Sequence, residues 1–523
     1  MNFSFIRDLE SFLCAEFGVE AVDITPELCP PEFEGDITVN CFVLARQLRR
    51  SPVDIAKSIA GYAGGHSDVC SAACIKAFVN ITLYPCALFR DTVADEKALL
   101  DAVKLPASER RKLVVEYSAP NTNKPQHLGH VRNNAIGMAT VSVLRTAGHT
   151  VHSVNLINDR GIHICKSMLA YQRWGDGETP ESSGKKGDHL VGDYYVRFDI
   201  EQRRQLEAVR KAKPEVADKS DEDLFLETEI GRAAQSMLVA WEDGDAEIMA
   251  LWRTMNRWVI EGFNQTYERM GVSFDRVYLE SDTYSLGRET ILEHLDEEIF
   301  RKRNDGAVVI DLEEEGLGSK VVLRSDGTSV YVTQDIGTTL LKQHDYEPDG
   351  QVWVVGDEQK FHFQVLFAIL RRLGYSWADD LHHLSYGMVN LPSGKMKSRE
   401  GKVVDADDLF DEMHALARIA TKERAGADVP ADLEQRASVI SMAALKFMLL
   451  KVNARTTMMF DPEASVTFEG DTGPYVLYAY ARIASMLRKA GVAEEAEEPL
   501  DWSVLDIQEE RDLGLRCGMY GDI

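Results

Sequence analysis

The chain is poor in what a membrane or secreted protein needs. None of its apolar runs reaches the roughly 18 residues required to cross a bilayer. The opening MNFSFIRDLE has neither the basic start nor the apolar core of a leader peptide. Both absences point to a cytosolic protein with no membrane partner. Cysteine is scarce as well, with eight in 523 residues, at Cys14, Cys29, Cys41, Cys70, Cys74, Cys86, Cys165 and Cys517. They form no C-x-x-C pair and no Cys/His spacing of a zinc site, which excludes structural zinc and a disulfide scaffold. They read as reduced thiols, most of them buried, and Cys70 and Cys74 are spaced to share a helix face. Positive charge is short too: 58 Lys and Arg face 85 Asp and Glu, a net −27 at pH 7. A surface that grips nucleic acid everywhere is therefore excluded, because phosphate affinity rests on cations. Net charge still leaves room for a local basic groove. RQLRR (46–50), RRK (110–112) and RRQ (203–205) are candidates, each otherwise an ordinary solvated face.

What is present is enough apolar residue, 45%, to fill several cores, and too much chain for one. There is no internal repeat and no long low-complexity segment. Residues 1–105 mix helical periodicity (FIRDLESFLCAEFG, NCFVLARQLRRSPVDIAKSIAGYA) with one alternating run, IKAFVNITL, and read as a small α+β domain. A second domain, 106–404, opens on KLVVEYSAP, a buried strand of parallel-sheet type. The loop NTNKPQHLGH leads into a helix that ends at Gly148, and VHSVNLIND is the next strand, giving a βαβ unit. Residues 166–260 are polar and helical, an insertion. Strand signals resume in GAVVIDL, KVVLRS, SVYVTQDIG and QVWVVGD, followed by the helix KFHFQVLFAILRRLG, so a Rossmann-type nucleotide fold is split in two. From 405 to 523 the pattern is helical, broken by the acidic linker EEAEEPLD, and it stops at DLGLRCGMYGDI before a closing helix pair, as an incomplete domain would.

Two stretches carry chemistry. His127-Leu128-Gly129-His130 lies in the turn from a buried strand to a helix, where the helix dipole and free N–H groups favour phosphate. Gly129 admits a nucleotide close to the backbone, and the two imidazoles can donate to phosphate oxygens that gain charge during in-line attack. Alone, H-x-G-H is equally a capped helix start. Far downstream, Gly394-Lys395-Met396-Lys397-Ser398-Arg399-Glu400-Gly401 is a Gly-bounded basic loop of the kind that neutralises a pyrophosphate leaving group. Alone, it is a solvated loop. The pairing of the two on a split βαβ fold favours adenylyl transfer.

On these residues the chain resembles the class I aminoacyl-tRNA synthetases, with HLGH as the HIGH motif and KMKSR as a KMSKS variant. Through VVEYSAPNTNKPQHLGHVRNNAIG, LINDRGIHI, LRSDGTSVYVTQDIG, GDEQKFHFQ and FEGDTGPYVLYAYARI it is similar to the arginyl-tRNA synthetases in particular. GDITVNCFVLARQL and AFVNITL resemble that family's amino-terminal domain. The resemblance implies an ATP- and Mg²⁺-dependent ligase that forms arginyl-adenylate, transfers arginine to the 3′ end of tRNA, and needs tRNA for the first step. It implies no zinc or organic cofactor and a monomer. His127, His130, Lys124, Lys395 and Lys397 would be catalytic, and Gly129, Met396, Ser398 and Arg399 would join them around ATP. In KMKSR the second KMSKS lysine is replaced by Ser398, with Lys124 as the compensating lysine. Asp335 and Glu116 would flank the guanidinium, as carboxylates suit its fork. Tyr331 would stand one helical turn from Asp335, and Ser118, Asn121 and Gln359 would hold the amino-acid end. The amino-terminal domain, with Asn80, would bind the tRNA elbow, and the carboxy-terminal helices, with Tyr475, Tyr478 and Tyr480, the anticodon.

The rivals are a cysteinyl or class I lysyl synthetase, a small nucleotidyltransferase that never meets RNA, and an inactive synthetase relative serving as an interaction protein. The cysteinyl enzyme leads one to expect a zinc site that this sequence lacks, and the lysyl enzyme has no use for paired carboxylates. The nucleotidyltransferase has no need of the outer domains. Intact His127, Gly129 and His130 speak against the inactive relative.

Overall fold

The computed structural model describes residues 3–94, 96–295, 299–391, 404–491 and 501–520. They divide into two compact units, one of Met1–Arg110, Thr146–Gly148 and Gly491–Ile523, the other of Arg111–Arg145 and His149–Ala490.

The first unit opens with α1 (Ser4–Phe17), whose Phe5, Ile6, Leu9 and Leu13 recur at helical spacing and are buried; Gly18, at φ 66°, ends it by returning its N–H to Cys14. Next come β1 (Glu27–Leu28), β2 (Ile37–Asn40), α2 (Cys41–Leu48), α3 (Pro52–Ala63), β3 (Val69–Ile75), β4 (Phe78–Leu83), α4 (Pro85–Thr92) and α5 (Glu96–Ala102). The strands pair antiparallel in the order β1-β2-β4-β3. The last helix, Gln508–Gly518, belongs to this unit and packs on α4. Its buried Arg511 forks onto buried Asp36, with Nε at 3.0 Å and Nη2 at 2.5 Å, and also donates to the Leu83 carbonyl. Two cysteine expectations fail here. Cys70 and Cys74 lie on strand β3 rather than a helix and are exposed, as is Cys86, so the small β3 edge leaves its outer face to solvent. Among all eight, only Cys41 and Cys165 are buried, and every one is a free thiol.

The second unit holds β5 (Lys112–Glu116), α6 (Leu128–Thr146) and β6 (Thr150–Ile157), then the helical body α7 (Ile162–Trp174), α8 (Pro180–Ser183), α9 (Gly187–Ala212), α10 (Glu229–Glu242) and α11 (Ala246–Met270), and then β7 (Arg276–Leu279). After α12 (Glu280–Thr283) and α13 (Leu286–Glu293), β8 (Phe300–Lys302), β9 (Val308–Leu312) and β10 (Gly318–Leu323) form a separate antiparallel sheet. The runs GAVVIDL and KVVLRS thus build a side sheet rather than continuing the parallel one. SVYVTQDIG, read as a strand, is the start of α14 (Tyr331–Tyr346). Its β-branched residues suggest a strand, but Val332 and Ile336, four apart, are buried on one helix face, and that packing overrides propensity. Then come β11 (Gly350–Gly356), α15 (Lys360–Arg372), β12 (Leu381–Tyr386), β13 (Val389–Asn390), α16 (Ala406–Ala425), α17 (Leu433–Leu450), β14 (Met458–Met459), α18 (Pro462–Ser465) and α19 (Gly473–Ala490). Residues of α16 and α17 share one hydrophobic core with α6, α7, α9 and α11.

The main sheet is parallel throughout, ordered β12-β11-β5-β6-β7. The chain leaves β5 toward β6 on one side and β11 toward β12 on the other. The order therefore reverses between β5 and β11, and the crevice at the carboxyl ends of these two strands is where such a sheet binds ligand. Among the described residues, no helix is long and apolar enough to cross a membrane.

Candidate active site

The switch-point crevice opens where β5 ends. Ser118 and Ala119 both take left-handed backbone, at φ 79° and 47°, which costs a non-glycine residue on the order of 1–3 kcal/mol. Surrounding amides hold them there. Ser118 N–H donates to Asn133 Oδ1 at 2.6 Å, Ala119 N–H donates to Asn155 Oδ1 at 3.0 Å, and the Ser118 hydroxyl bonds Tyr267 at 2.7 Å. This kink turns the chain across the strand ends, where the exposed Asn121 bridges Asn158 beyond β6.

His127 and His130 follow at the foot of α6, ring centres 4.0 Å apart. Both use Nδ1 as an acceptor: His127 N–H donates to His130 Nδ1 at 3.2 Å, and Gly129 N–H donates to His127 Nδ1 at 3.1 Å. Burial, with Lys124 nearby, lowers the His127 pKa to about 4, and burial together with His127 and Lys124 holds His130 well below the usual range. Both rings are thus neutral near pH 7, and since Nδ1 accepts, the proton sits on Nε2, a donor left for a ligand. Gly129 is required because a Cβ there would lie 2.9 Å from His127 Cε1. The free backbone N–H groups expected at this helix start are partly committed, Leu128's to the Val404 carbonyl at 3.0 Å and Gly129's to the His127 ring. Anion binding must therefore lean on the imidazoles. Lys395, Met396, Lys397, Ser398 and Arg399 lie outside the described residues. Fully buried Arg132 of α6 ties down the chain on both sides of them, donating to the carbonyls of Gly387 and Met388 before and of Ala454 and Thr456 after.

Two further carboxylates, Asp335 and Glu280, are close enough to interact. Asp335, in the first turns of α14, accepts from His362 Nε2 at 2.5 Å, while Tyr331 is exposed, as is Gln359 after β11. Burial alone would lower His362, but the bond to Asp335 and its charge outweigh that and raise it. Glu280, at the end of β7, is pushed up to about 7, chiefly by burial, which Arg160 opposes and Asp159 and Asp335 reinforce. Asp159 fixes this corner by accepting from Ser281 N–H at 2.8 Å and Ser281 Oγ at 2.7 Å. Arg160 stacks 3.9 Å from the centre of the Tyr284 ring. Arg160 beside Glu280 and His362 on Asp335 are the basic groups that already face these two carboxylates.

Glu116, expected beside the guanidinium, stands at the carboxyl end of β5. It is buried and paired with Lys342 at 2.7 Å, and that ammonium also lies 4.3 Å from the Trp353 ring centre. Sequence reasoning missed Glu280, whose only signal is the LESD corner after a four-residue strand. Ser118 is also buried, its hydroxyl engaged. Asn80 is 4% exposed on β4, between β2 and β3, so its amide does not reach solvent. Tyr475 and Tyr480 are exposed on α19, and the Tyr478 ring meets Arg424 at 4.6 Å.

Comparison with known proteins places the chain in a family. Residues 95–462 match the family described as tRNA synthetases class I (R), catalytic domain, and residues 6–83 match the arginyl tRNA synthetase N terminal domain. The arginine–tRNA ligase of Amoebophilus asiaticus is 47% identical over 489 residues, covering 92% of this chain and 80% of that protein. That of Bacteroides thetaiotaomicron is 47% identical over 467 residues, covering 88% and 76%. Among solved structures, the Thermus thermophilus arginyl-tRNA synthetase superposes with a TM-score of 0.74 at 26% identity, over 98% of this chain and 85% of that one. The Plasmodium falciparum arginyl-tRNA synthetase shares the fold, with a TM-score of 0.69 at 17% identity, over 99% and 87%. The chain belongs to the arginyl-tRNA synthetases of class I.

Proposed function

We propose that this arginine–tRNA ligase activates arginine at the β5/β11 crevice, and the observation that supports the assignment most is that two sites follow carboxyl ends of strands in one parallel sheet, the HLGH turn after β5 and Glu280 after β7. One is the neutral imidazole pair, whose Nδ1 atoms accept from backbone N–H groups and whose protons therefore sit on Nε2. The other is the acidic pocket of Asp335 and Glu280. Arginine's guanidinium enters the pocket, against Asp335 and Glu280, with Tyr331 alongside. Asn121 and Gln359, both exposed at the strand ends, orient the carboxylate and amino group. Glu116, already neutralised by Lys342, holds the strand end, and Ser118 holds the kink.

The carboxylate attacks the α-phosphate of ATP, and His127 and His130 donate Nε2–H to phosphate oxygens as charge builds. Lys124 adds positive charge beside them, and Lys395 and Lys397, by sequence, neutralise the leaving pyrophosphate. Neutral donors suit this work, since they lose no proton and need no ionisation near pH 7. Mg²⁺ fits as a companion of the phosphates, which it would charge-balance. The Asp188, His189 and Asp407 cluster is no cage for it, because Lys186 already pairs with two of its carboxylates. The adenylate then yields arginine to the terminal adenosine of tRNA.

The outer regions serve tRNA in this reading, residues 1–105 at the elbow and the helices after 405 at the anticodon, with Tyr475 and Tyr480 as stacking faces. The reading includes a monomer working in the cytosol, as the family resemblance implies. ATP–pyrophosphate exchange with each amino acid, with and without total tRNA, tests the proposal. Exchange with arginine only when tRNA is present is expected. Exchange with lysine or another amino acid instead would overturn the assignment of the pocket.

A further inference from the structure

The helical body between β6 and β7 reaches the catalytic turn through a buried ionic knot. Helices α9 and α11 cross at glycine contacts: a Cβ on Gly187 would lie 2.1 Å from the Trp258 carbonyl oxygen, and one on Gly262 2.4 Å from Asp188 Oδ1. The close crossing buries Asp188 and Thr266 and brings Lys186 between them. Lys186 Nζ lies 3.0 Å from Asp188, bonds Thr266, and reaches Asp407 Oδ2 at 2.5 Å. His189 Nε2 lies 3.2 Å from the same Asp407 oxygen and 3.6 Å from Asp405. Arg269 Nη1 takes the other Asp407 oxygen at 3.1 Å, while its Nη2 pairs with Asp411 at 2.6 Å. Lys186 at the amino-terminal cap of α9, His189 on α9 and Arg269 on α11 thus converge on the carboxylate of buried Asp407.

A buried ion cluster adds little net stability, because the desolvation of its charges offsets their attraction; what it fixes is geometry. Asp407 sits in the first turn of α16, two residues beyond Asp405, whose side chain caps that helix by accepting from Asp407 N–H at 2.8 Å. The backbone of Asp405 is bridged to His127. On either side of that bridge, Leu128 N–H donates to the Val404 carbonyl at 3.0 Å and Ala406 N–H donates to the Gln126 carbonyl at 2.9 Å. The strip 404–406 is therefore the wall against which the HLGH turn rests, and the Asp407 knot sets where that wall stands.

We propose that Lys186, His189, Arg269 and Asp407 are positioning residues for adenylate formation, coupling the helical body to the attitude of His127. The proposal rests on the phosphate role given above to His127 and His130. A displacement of about 1 Å at a reacting group can cost on the order of 100-fold in rate, so a modest shift of the wall is enough.

The test is pyrophosphate exchange by the full chain with ATP, arginine and total tRNA. Lys186→Met and Asp407→Asn are each expected to lower kcat by roughly 10- to 100-fold and leave the KM for arginine within about twofold, with Lys186→Arg recovering most of the loss. In a His127→Asn background, Asp407→Asn is expected to add less than about twofold, because the turn it serves is already defective. Additive losses, an unchanged kcat in folded variants, or an arginine KM rising in step with the fall in kcat would overturn the proposal. Should the two inner variants fail to fold, Arg269→Gln at the rim decides by the same criteria, with a kcat loss of about threefold expected and no loss refuting. A wild-type chain silent with every amino acid would count against the functional reading, and the knot is then read by long-range nitrogen NMR of the histidines. Loss of the Nε2–H pattern of His127 in Asp407→Asn supports it, and an unaltered pattern overturns it.

Discussion

If Glu280 receives the guanidinium as proposed, the arginine KM is a function of pH. Its carboxyl titrates at about 7 in the free pocket, and a guanidinium binds the ionised form. With one proton to lose, the competent fraction is roughly 91% at pH 8 and 9% at pH 6, so the KM for arginine should rise about tenfold between them, close to 1.4 kcal/mol. His362 works in the same direction. Its raised pKa keeps it charged further up the scale, and a charged His362 on Asp335 opposes the incoming guanidinium. Around Glu280 stand Asp159, Asp335 and Arg160, and His127, at about 4, is silent in this window, so kcat does not carry the same inflection. Glu280→Gln removes a charge-assisted hydrogen bond of about 1.5–3 kcal/mol, which raises KM at pH 8 by roughly 10- to 150-fold and leaves only the His362 contribution to the slope. Initial-rate exchange at saturating ATP and tRNA, with arginine varied from pH 6 to 9, measures both. A variant with wild-type KM at pH 8, or with the full wild-type pH slope, would refute the reasoning.

Three further outcomes follow from packing. Gly129→Ala drives a Cβ to 2.9 Å from the His127 ring and should cut kcat by about tenfold or more while the melting temperature barely moves, as kinetics and calorimetry will report. Arg511→Met leaves Asp36 buried without its partner and should destabilise the first unit by about 3–5 kcal/mol in urea unfolding, with Asp36→Asn in the same chain recovering part. Lys342→Met does the same to Glu116 in the main sheet, at a similar cost of about 3–5 kcal/mol, and Glu116→Gln should again offset it. If either double variant is as unstable as its single parent, the unpaired charge is not the cause.

Local chemistry was legible in the sequence and distant assembly was not. HLGH could be read because a strand, a turn and a helix sit together in 35 residues, with a glycine whose absent side chain the His127 ring needs. Glu280 could not, since its character comes from the place of β7 beside β6 in the sheet, and RVYL is too short to announce a strand. The same applies to Glu116: nothing near KLVVE signals that Lys342, 226 residues on, will neutralise it. SVYVTQDIG was misleading because the choice between helix and strand there is made by what Val332 and Ile336 pack against. The thiols on β3 were expected inside from average behaviour, while their exposure is a property of one strand's outer face.

The segment first taken as an insertion, 166–260, lies within the connection between β6 and β7, which are parallel neighbours. Parallel neighbours cannot be joined by a tight turn, so some crossover must run back along the sheet, and one helix would meet that need. The path is obligatory while its length is free. Shortening it to a single helix would keep the sheet connected and the imidazoles in sequence, yet would strip away Lys186 and His189. Such a chain would show how much of the catalytic rate belongs to the nucleotide fold alone.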